Sequence, residues 1–140
     1  MSVSIAGIWE LGWNAPLKEA ELWEFLLMDF GISDVIMCPI TGIKTDFFTE
    51  RENLNTVMEE YREKGIPIVF VDEQGTTPLA EFEHPEDVLY VFGRVSFSPF
   101  RAYSKPIDQS LKIETPKQIG TMWPHQCAAI VLYDRVRKWQ

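Results

Sequence analysis

DVLYVFG, at residues 87–93, begins the stretch that decides the fold, and TMWPHQCAAIVLYDRVRKWQ, at residues 121–140, ends it. The first segment is a continuous apolar run that stops at a glycine, which is typical of a strand buried on both faces of a parallel sheet. The last segment has a proline near its start and apolar residues at helical spacing, which predicts a helix over residues 124–138. Between them, SLKIETPKQIG at residues 110–120 predicts a short strand over residues 111–113 and a turn that contains glycine.

Short apolar runs also alternate with amphipathic segments in the earlier part of the chain. Strands are predicted at residues 2–9, 34–39, 66–71 and 88–92, and helices at residues 16–30 and 50–64. Strands that alternate with helices form a parallel sheet that carries helices on both faces. The sequence therefore predicts a single α/β domain over residues 1–140, with a parallel sheet of about five strands.

The composition narrows the class of protein. A hydrophobic content of 46% predicts a globular domain, and a net charge of −8 argues against broad, non-specific binding to nucleic acid, so no DNA partner is expected. Cys38 and Cys127 lie in apolar contexts, which is typical of buried free thiols in a reducing cytoplasm, and they make no metal motif. The chain shows no signal peptide and no apolar run of membrane-spanning length. We therefore expect a soluble, cytoplasmic protein without a metal site or a membrane partner.

A long segment of low periodicity separates the fourth and fifth predicted strands. Connections as long as residues 94–109 tend to be functional in compact domains. Residues 94–117 hold five cations and two acids, although the chain as a whole is acidic. This local excess of positive charge can steer phosphate-bearing substrates to a site. It is equally consistent with cations that cluster by chance on a solvated loop.

The order and spacing of three segments resemble the SPOUT-type (SpoU-like, α/β-knot) RNA methyltransferases. These segments are FGISDVIM at residues 30–37, TPLAEFEHPEDVLYVFG at residues 77–93 and TMWPHQCAAIVLYD at residues 121–134. The resemblance covers nearly the whole chain and implies a C-terminal α/β knot, S-adenosylmethionine as cofactor and RNA as the usual methyl acceptor. It also implies a homodimer formed through the last helix.

For this dimer we predict contacts at Trp123, Ile130 and Tyr133, which lie near one stripe of the last helix.

The cofactor pocket in this family depends mainly on backbone groups of loops at the carboxyl end of the sheet. The resemblance therefore implies a pocket built from the end of the fourth strand, the end of the fifth strand and the turn before the last helix. The predicted cofactor-binding residues are Phe92, Gly93, Arg94, Ile113, Glu114, Thr115, Ile119, Gly120, Thr121 and Met122.

The polar residues that carry out the family's chemistry are largely replaced. The family's Asn and Arg of the first helix correspond to Glu19 and Phe25, and the Glu and second Gly that follow the Gly93 position are missing. Its Ser-Leu-Asn motif corresponds to Thr-Met-Trp at residues 121–123. Two other residues remain as candidates for catalysis.

Arg94 follows a buried strand, where a cation can hold a phosphate or the carboxylate of the cofactor. His125 can act as a general base because its pKa lies near neutrality. Each has a simpler interpretation, as a surface cation and as a helix-start histidine without a catalytic role.

Three functions are therefore open at the level of sequence. The first is an S-adenosylmethionine-dependent RNA methyltransferase. The second is a catalytically degenerate SPOUT-like protein that serves as a cofactor-binding or dimeric interaction module. The third is a flavodoxin-like domain that binds another small ligand.

Overall fold

Seven strands form one fully parallel sheet in the computed structural model, which describes residues 1–9, 16–43, 45–94, 96–117 and 122–139. The strands are β1 (Val3–Ile8), β2 (Asp34–Cys38), β3 (Phe48–Glu50), β4 (Ile68–Val71), β5 (Thr77–Pro78), β6 (Val88–Phe92) and β7 (Gln109–Lys112). Their order across the sheet is β3-β2-β1-β6-β4-β7-β5. The centre of the sheet is therefore the pair of β1 and β6, where Ile5 lies opposite Tyr90.

Helices cover both faces of this sheet, as predicted. They are α1 (Pro16–Phe30), α2 (Leu54–Glu63), α3 (Pro99–Tyr103) and α4 (Pro124–Lys138), with a 3₁₀ turn at Leu79–Glu81. On one face α1 and α4 pack beside each other, and the buried Trp23 and Leu132 join Ile5 in a common apolar core. On the other face α2 packs Val57 and Met58 into a second core. The α/β class predicted from the sequence is confirmed.

The predicted number of about five strands is too low, because two short edge strands have no periodic signal in the sequence. β3 contains three residues and pairs with β2, and β5 contains two residues and pairs with β7. Because β3 ends at Glu50, the start of the helix predicted at residues 50–64 is wrong. The helix begins at Leu54 because the side chain of Asn53 caps it and accepts hydrogen bonds from the backbone amides of Asn55 and Thr56.

Two other boundaries differ from the prediction. The last strand lies at Gln109–Lys112 rather than at residues 111–113, because backbone pairing with β4 begins at Gln109. The long segment after β6 contains α3, a single short helix whose Ser98 cap accepts a hydrogen bond from the amide of Arg101. Residues 118–121, through which the predicted C-terminal knot would pass, lie outside the described residues.

The order of the longer strands excludes the flavodoxin-like alternative. If β3 and β5 are set aside, the remaining strands lie in the order second, first, fourth, third, fifth. A flavodoxin-like sheet has the order second, first, third, fourth, fifth. In this protein β6 lies between β1 and β4, so its carboxyl end lies at the middle of the sheet edge.

A buried polar network ties the segment before β6 to α4. The Nδ1 atom of His84 lies 2.6 Å from the hydroxyl of Tyr90, and its Nε2 atom lies 2.8 Å from Oδ2 of Asp134. Burial lowers the pKa of His84, so the imidazole is neutral near pH 7. A neutral ring satisfies both contacts if Nε2–H donates to Asp134 and Nδ1 accepts from the Tyr90 hydroxyl.

We predict that Tyr90→Phe destabilises the protein by about 1–3 kcal/mol, because it leaves Nδ1 of the buried His84 without a donor. Urea denaturation measures this change. The matched control is Tyr61→Phe, since Tyr61 lies on α2, away from this network and from the last helix. Equal denaturation midpoints for the Tyr90→Phe variant and the unaltered protein would contradict the assigned role of the hydroxyl.

Candidate functional site

A cavity of about 570 Å³ lies at the carboxyl edge of the sheet. The end of β4 contributes Val71 and Asp72, and the end of β6 contributes Phe92 and Gly93. Residues that follow β7, together with the start of α4, form another part of the wall. They include Ile113, Thr115, Met122, Pro124 and Cys127. The walls thus come from two central strands, the segment after a third and one helix, as is common for ligand sites in open α/β sheets.

The structure brings many of the predicted cofactor-binding residues to this cavity. Those that line it are Phe92, Gly93, Arg94, Ile113, Thr115 and Met122. Glu114 was also predicted to bind the cofactor, but its side chain is exposed and does not line the cavity. The predictions for Ile119, Gly120 and Thr121 fall outside the described residues.

Sequence reasoning missed ten residues of the cavity wall. Four of them carry polar or ionisable side chains that bear on the site, namely Asp72, Ser98, Arg101 and Cys127. Asp72 follows β4 directly, so the argument that selected Arg94 at the end of β6 applies to it as well. Its carboxylate accepts a hydrogen bond from the Ser98 hydroxyl at 2.6 Å, which holds the start of α3 at the cavity. Cys127 was recognised only as a buried thiol, and its position on α4 places it in the wall.

Position 93 requires a glycine because of the backbone turn that follows β6. A Cβ atom at this position would lie 2.7 Å from the carbonyl oxygen of Phe97 and equally close to Cδ of Pro99. The chain turns back here, and Arg94 and Phe97 exchange two backbone hydrogen bonds of 3.0 Å. The missing side chain therefore makes room for this turn, and the Gly93 backbone remains in the cavity wall.

Arg94 forms a buried ion pair instead of a surface cation. Its Nη2 atom lies 2.5 Å from Oε2 of Glu19, and its Nε atom donates to the carbonyl oxygen of Ile8 at 2.7 Å. The side chains of Arg94 and Glu19 are only 7% and 2% exposed. The indole N–H of Trp23 also donates to Oε2 of Glu19, at 3.2 Å. The pair joins α1 to the end of β6 at the inner side of the cavity.

His125 lies beside this pair and outside the cavity wall. Its ring packs against the rings of Trp23 and Trp123, with centroid distances of 6.3 and 6.0 Å. Burial lowers the pKa of His125, the charge of Glu19 acts in the opposite direction, and Arg94 adds to the lowering. Its Nδ1 atom is buried and has no hydrogen-bond partner in the structure. The imidazole is therefore neutral near pH 7, but no contact with the cavity places it as a base.

The thiol of Cys127 is not a nucleophile in this arrangement. Burial raises the pKa of Cys127 to about 11, so the thiol stays protonated near neutral pH. It contributes an apolar, polarisable surface to the cavity wall.

Two of the cations that follow β6 are paired with carboxylates. Arg94 is paired with Glu19, and the ammonium group of Lys105 lies 2.6 Å from a carboxylate oxygen of Glu59 on α2. The carboxylates that neutralise both cations come from outside the segment at residues 94–117. The local excess of positive charge counted in the sequence is therefore reduced in the fold.

Among the residues that the structure describes, no helix is long and apolar enough to cross a membrane. Within the same residues, no group of three or more His, Cys, Asp or Glu side chains is arranged to hold a metal ion.

Comparison with known proteins identifies relatives by structure alone. No protein-family model matches the sequence, and no curated protein matches it either. Solved structures do match. The SpoU methyltransferase AviRb from Streptomyces viridochromogenes, in complex with the cofactor AdoMet, superposes with a TM-score of 0.77 at 15% identity, covering 99% of this chain and 58% of that chain.

Two other solved structures superpose on this chain with similar TM-scores and sequence identities. The A. aeolicus TrmH/SpoU tRNA modifying enzyme has a TM-score of 0.71 at 14% identity, over 98% of this chain and 74% of that one. A structure described for 2-OH methylation of C/U34 on tRNA has a TM-score of 0.71 at 13% identity, over 99% and 97% of the two chains. The fold is that of the SpoU/TrmH methyltransferases. This likeness in fold confirms the predicted resemblance.

The pKa shifts of the two histidines predict how stability depends on pH. Burial lowers the pKa of both His84 and His125, so the native state binds protons less readily than the unfolded chain. The resulting stability is present above the unfolded value of about 6.5 and is lost as the pH falls through the lower native values. We expect a smaller free energy of unfolding near pH 5.5 than near pH 7.5, and a smaller difference in the variant His125→Gln.

Denaturation at the two pH values measures this effect, and an NMR titration of the two imidazoles measures its cause. Native pKa values at or above about 6.5 for both rings would contradict the assignment. Burial acts to raise the pKa of Asp134, but hydrogen bonds from Lys138, His84 and Arg137 together lower it, so this carboxyl titrates in a separate and more acidic range.

Proposed function

We propose that the protein binds S-adenosylmethionine in the cavity at the carboxyl edge of the sheet and transfers its methyl group to RNA. The observation that carries this proposal is the position of the cavity, between the ends of β4 and β6, the segment after β7 and the start of α4. A volume of about 570 Å³ suits a ligand of this size. We also propose that the protein is cytoplasmic. Both of its cysteines are free thiols, as is usual in a reducing compartment, and this location fits a role in RNA modification.

The residues of the cavity fit the parts of this cofactor. Phe92, Ile113 and Met122 offer apolar surface to a flat adenine ring, and the backbone around Gly93 offers amide and carbonyl groups at close approach. The carboxylate of Asp72, which directly follows β4, can accept hydrogen bonds from ribose hydroxyls. The bound cofactor would supply an electrophilic methyl group, and the protein would hold the acceptor in line with it.

A second candidate function is a cofactor-binding module without catalysis. The ion pair of Glu19 and Arg94 favours it, because Glu19 stands where the resemblance places the family's Asn. Phe25 stands where it places the Arg, and its side chain is exposed. Such a protein would keep the cavity and lack the transfer step. The two functions differ in one measurable way, which is methyl transfer from the bound cofactor to RNA.

We also propose that the protein is a homodimer through the face formed by α1 and α4. These helices pack side by side and leave apolar side chains exposed, Phe25 and Met28 on α1 and Ile130 and Tyr133 on α4. Exposed apolar clusters of this kind mark interfaces. Trp123 is less suited to this role than the sequence suggested, because its ring packs against His125 and Arg94 at the edge of the cavity.

We predict that S-adenosylmethionine and S-adenosylhomocysteine bind with one site per chain in calorimetry and raise the melting temperature. Thr115→Trp should abolish binding, because Thr115 lines the cavity and a large ring would fill it. The matched control is Glu114→Trp, since the neighbouring Glu114 side chain is exposed and outside the wall. Retained binding in a folded Thr115→Trp variant would show that the site is elsewhere.

Incubation of cellular RNA with S-adenosylmethionine labelled in the methyl group then separates the two functions. Label in the RNA supports the methyltransferase. Binding in calorimetry without label in any RNA fraction supports the module.

We predict that the double variant Ile130→Glu/Tyr133→Glu is monomeric at micromolar concentration, whereas the unaltered protein sediments as a dimer. Charges buried in an apolar interface disfavour association. The control is Ile107→Glu, which introduces the same charge at a residue that is 80% exposed and distant in sequence from both helices. A monomeric unaltered protein, or a dimeric double variant, would refute the proposed interface.

A further inference from the structure

The segment between the end of β6 and the end of α3 forms the solvent-exposed side of the cavity. Ser96, Phe97, Arg101 and Ala102 line the cavity and are exposed, whereas Phe92 on the inner side is buried. Wall residues that also reach solvent lie where a cavity opens, so these four residues form its mouth. A group that enters from solvent to meet a bound cofactor passes their side chains.

Phe97 presents an aromatic ring at this mouth. The residue is 37% exposed, and its ring packs against that of Tyr103 with the two centroids 5.8 Å apart. Its backbone is fixed by the two hydrogen bonds that it exchanges with Arg94, and its carbonyl group lies in the space left by the missing side chain of Gly93. Because the backbone is already ordered, a flat ligand can stack on the ring at a small cost in conformational entropy.

Arg101 supplies a positive charge at the same mouth. Four other arginines form ion pairs with carboxylates, at positions 51, 62, 94 and 137. For Arg101, no carboxylate lies within ion-pair distance among the residues that the structure describes. Its Nε atom donates to Oε1 of Gln74 at 3.1 Å, and its two terminal amino groups make no hydrogen bond in that part of the chain. A guanidinium held in this way can bind a phosphate through two parallel hydrogen bonds.

We propose that the mouth of the cavity receives one unpaired nucleotide of the RNA substrate, with its base stacked on Phe97 and its phosphate at Arg101. This inference rests on the proposed function, since it names the class of RNA that reaches the bound cofactor. An aromatic ring stacks on the face of any base, whereas a base inside a duplex is already stacked on both faces. The substrate is therefore a single-stranded segment, such as a loop or an end, and not a continuous duplex.

The charges around the mouth limit the contact to a single phosphate. Glu73 lines the cavity and is exposed. Asp72 beside it accepts hydrogen bonds from the hydroxyl of Ser98 and the backbone amide of Gln74, and it keeps its negative charge. These two carboxylates repel a nucleic-acid backbone that would bring several phosphates to the wall. A single nucleotide brings one phosphate and a large uncharged base, which suits a chain with a net charge of −8.

Fluorescence anisotropy on the protein saturated with S-adenosylhomocysteine tests the inference. The probe is a labelled single-stranded oligoribonucleotide of mixed sequence and about 12 nucleotides, since stacking tolerates any sequence. The comparison is the same strand annealed to its complement. One stacked base predicts that the single strand binds at least about 5-fold more tightly than the duplex.

Variants of Phe97 assign this preference to the aromatic ring. Phe97→Leu keeps an apolar side chain and removes the ring, so it should weaken binding of the single strand by about 5-fold or more, and Phe97→Tyr should restore it. Trp139→Leu is the matched control, because it removes an exposed ring that lies outside the cavity wall. Melting temperatures show that each variant is folded.

The dependence of affinity on salt isolates the phosphate contact. Arg101→Gln should reduce the magnitude of the slope of log affinity against log salt by about 0.7, the value for one phosphate of a single strand. Lys64→Gln is the matched control, because Lys64 is an exposed cation that follows α2 and precedes β4, at the opposite edge of the sheet from the cavity. It should leave the slope unchanged.

Each outcome decides a separate point. A preference for the single strand that is lost in Phe97→Leu, with a smaller salt slope in Arg101→Gln and unchanged controls, supports the inference. Equal binding of single strand and duplex overturns it and leaves the proposed cofactor site intact. A Phe97→Leu variant that keeps its affinity for the single strand but sediments as a smaller species also overturns it, because the ring then contacts protein. If S-adenosylhomocysteine does not bind in calorimetry, the proposed function fails and the inference fails with it.

Discussion

The burial of β6 between β1 and β4 is the constraint on which the rest of the structure depends. All five residues of this strand are buried, and each neighbour pairs with it in parallel register. A strand in this position must end at the middle of the sheet edge, so Gly93 and Arg94 emerge beside the ends of both neighbours. The cavity, the turn that Gly93 permits and the ion pair to α1 all follow from that position.

Charge at the inner side of the cavity is organised by contacts between distant parts of the chain. Glu19 comes from the first helix and Arg94 follows the sixth strand, and the carbonyl of Ile8 at the end of β1 fixes the guanidinium from a third side. Each group is buried, so the Coulomb interaction between them is poorly screened by solvent. The ion pair stands where the resemblance places one of the family's polar residues, and it fixes the end of β6 against α1.

Much of the fold follows from the sequence, and less of the site does. The strand β6 is a continuous apolar run, and α1 and α4 carry apolar residues at helical spacing, so their bounds agree with the prediction within one residue. The edge strands β3 and β5 are too short for any period, so only backbone pairing defines them. The approach of Glu19 to Arg94 joins residues that are 75 positions apart, and a single sequence carries no signal for such a contact. Asp72 was within reach of the same strand-end argument and was missed.

The most direct test of the account is a crystal structure of the protein grown with a saturating concentration of S-adenosylhomocysteine. The account predicts the ligand in the cavity between the ends of β4 and β6, with its adenine near Ile113 and Met122. Electron density for the ligand at any other surface would contradict the account. A cavity that stays empty in crystals soaked and grown with the ligand would contradict it as well.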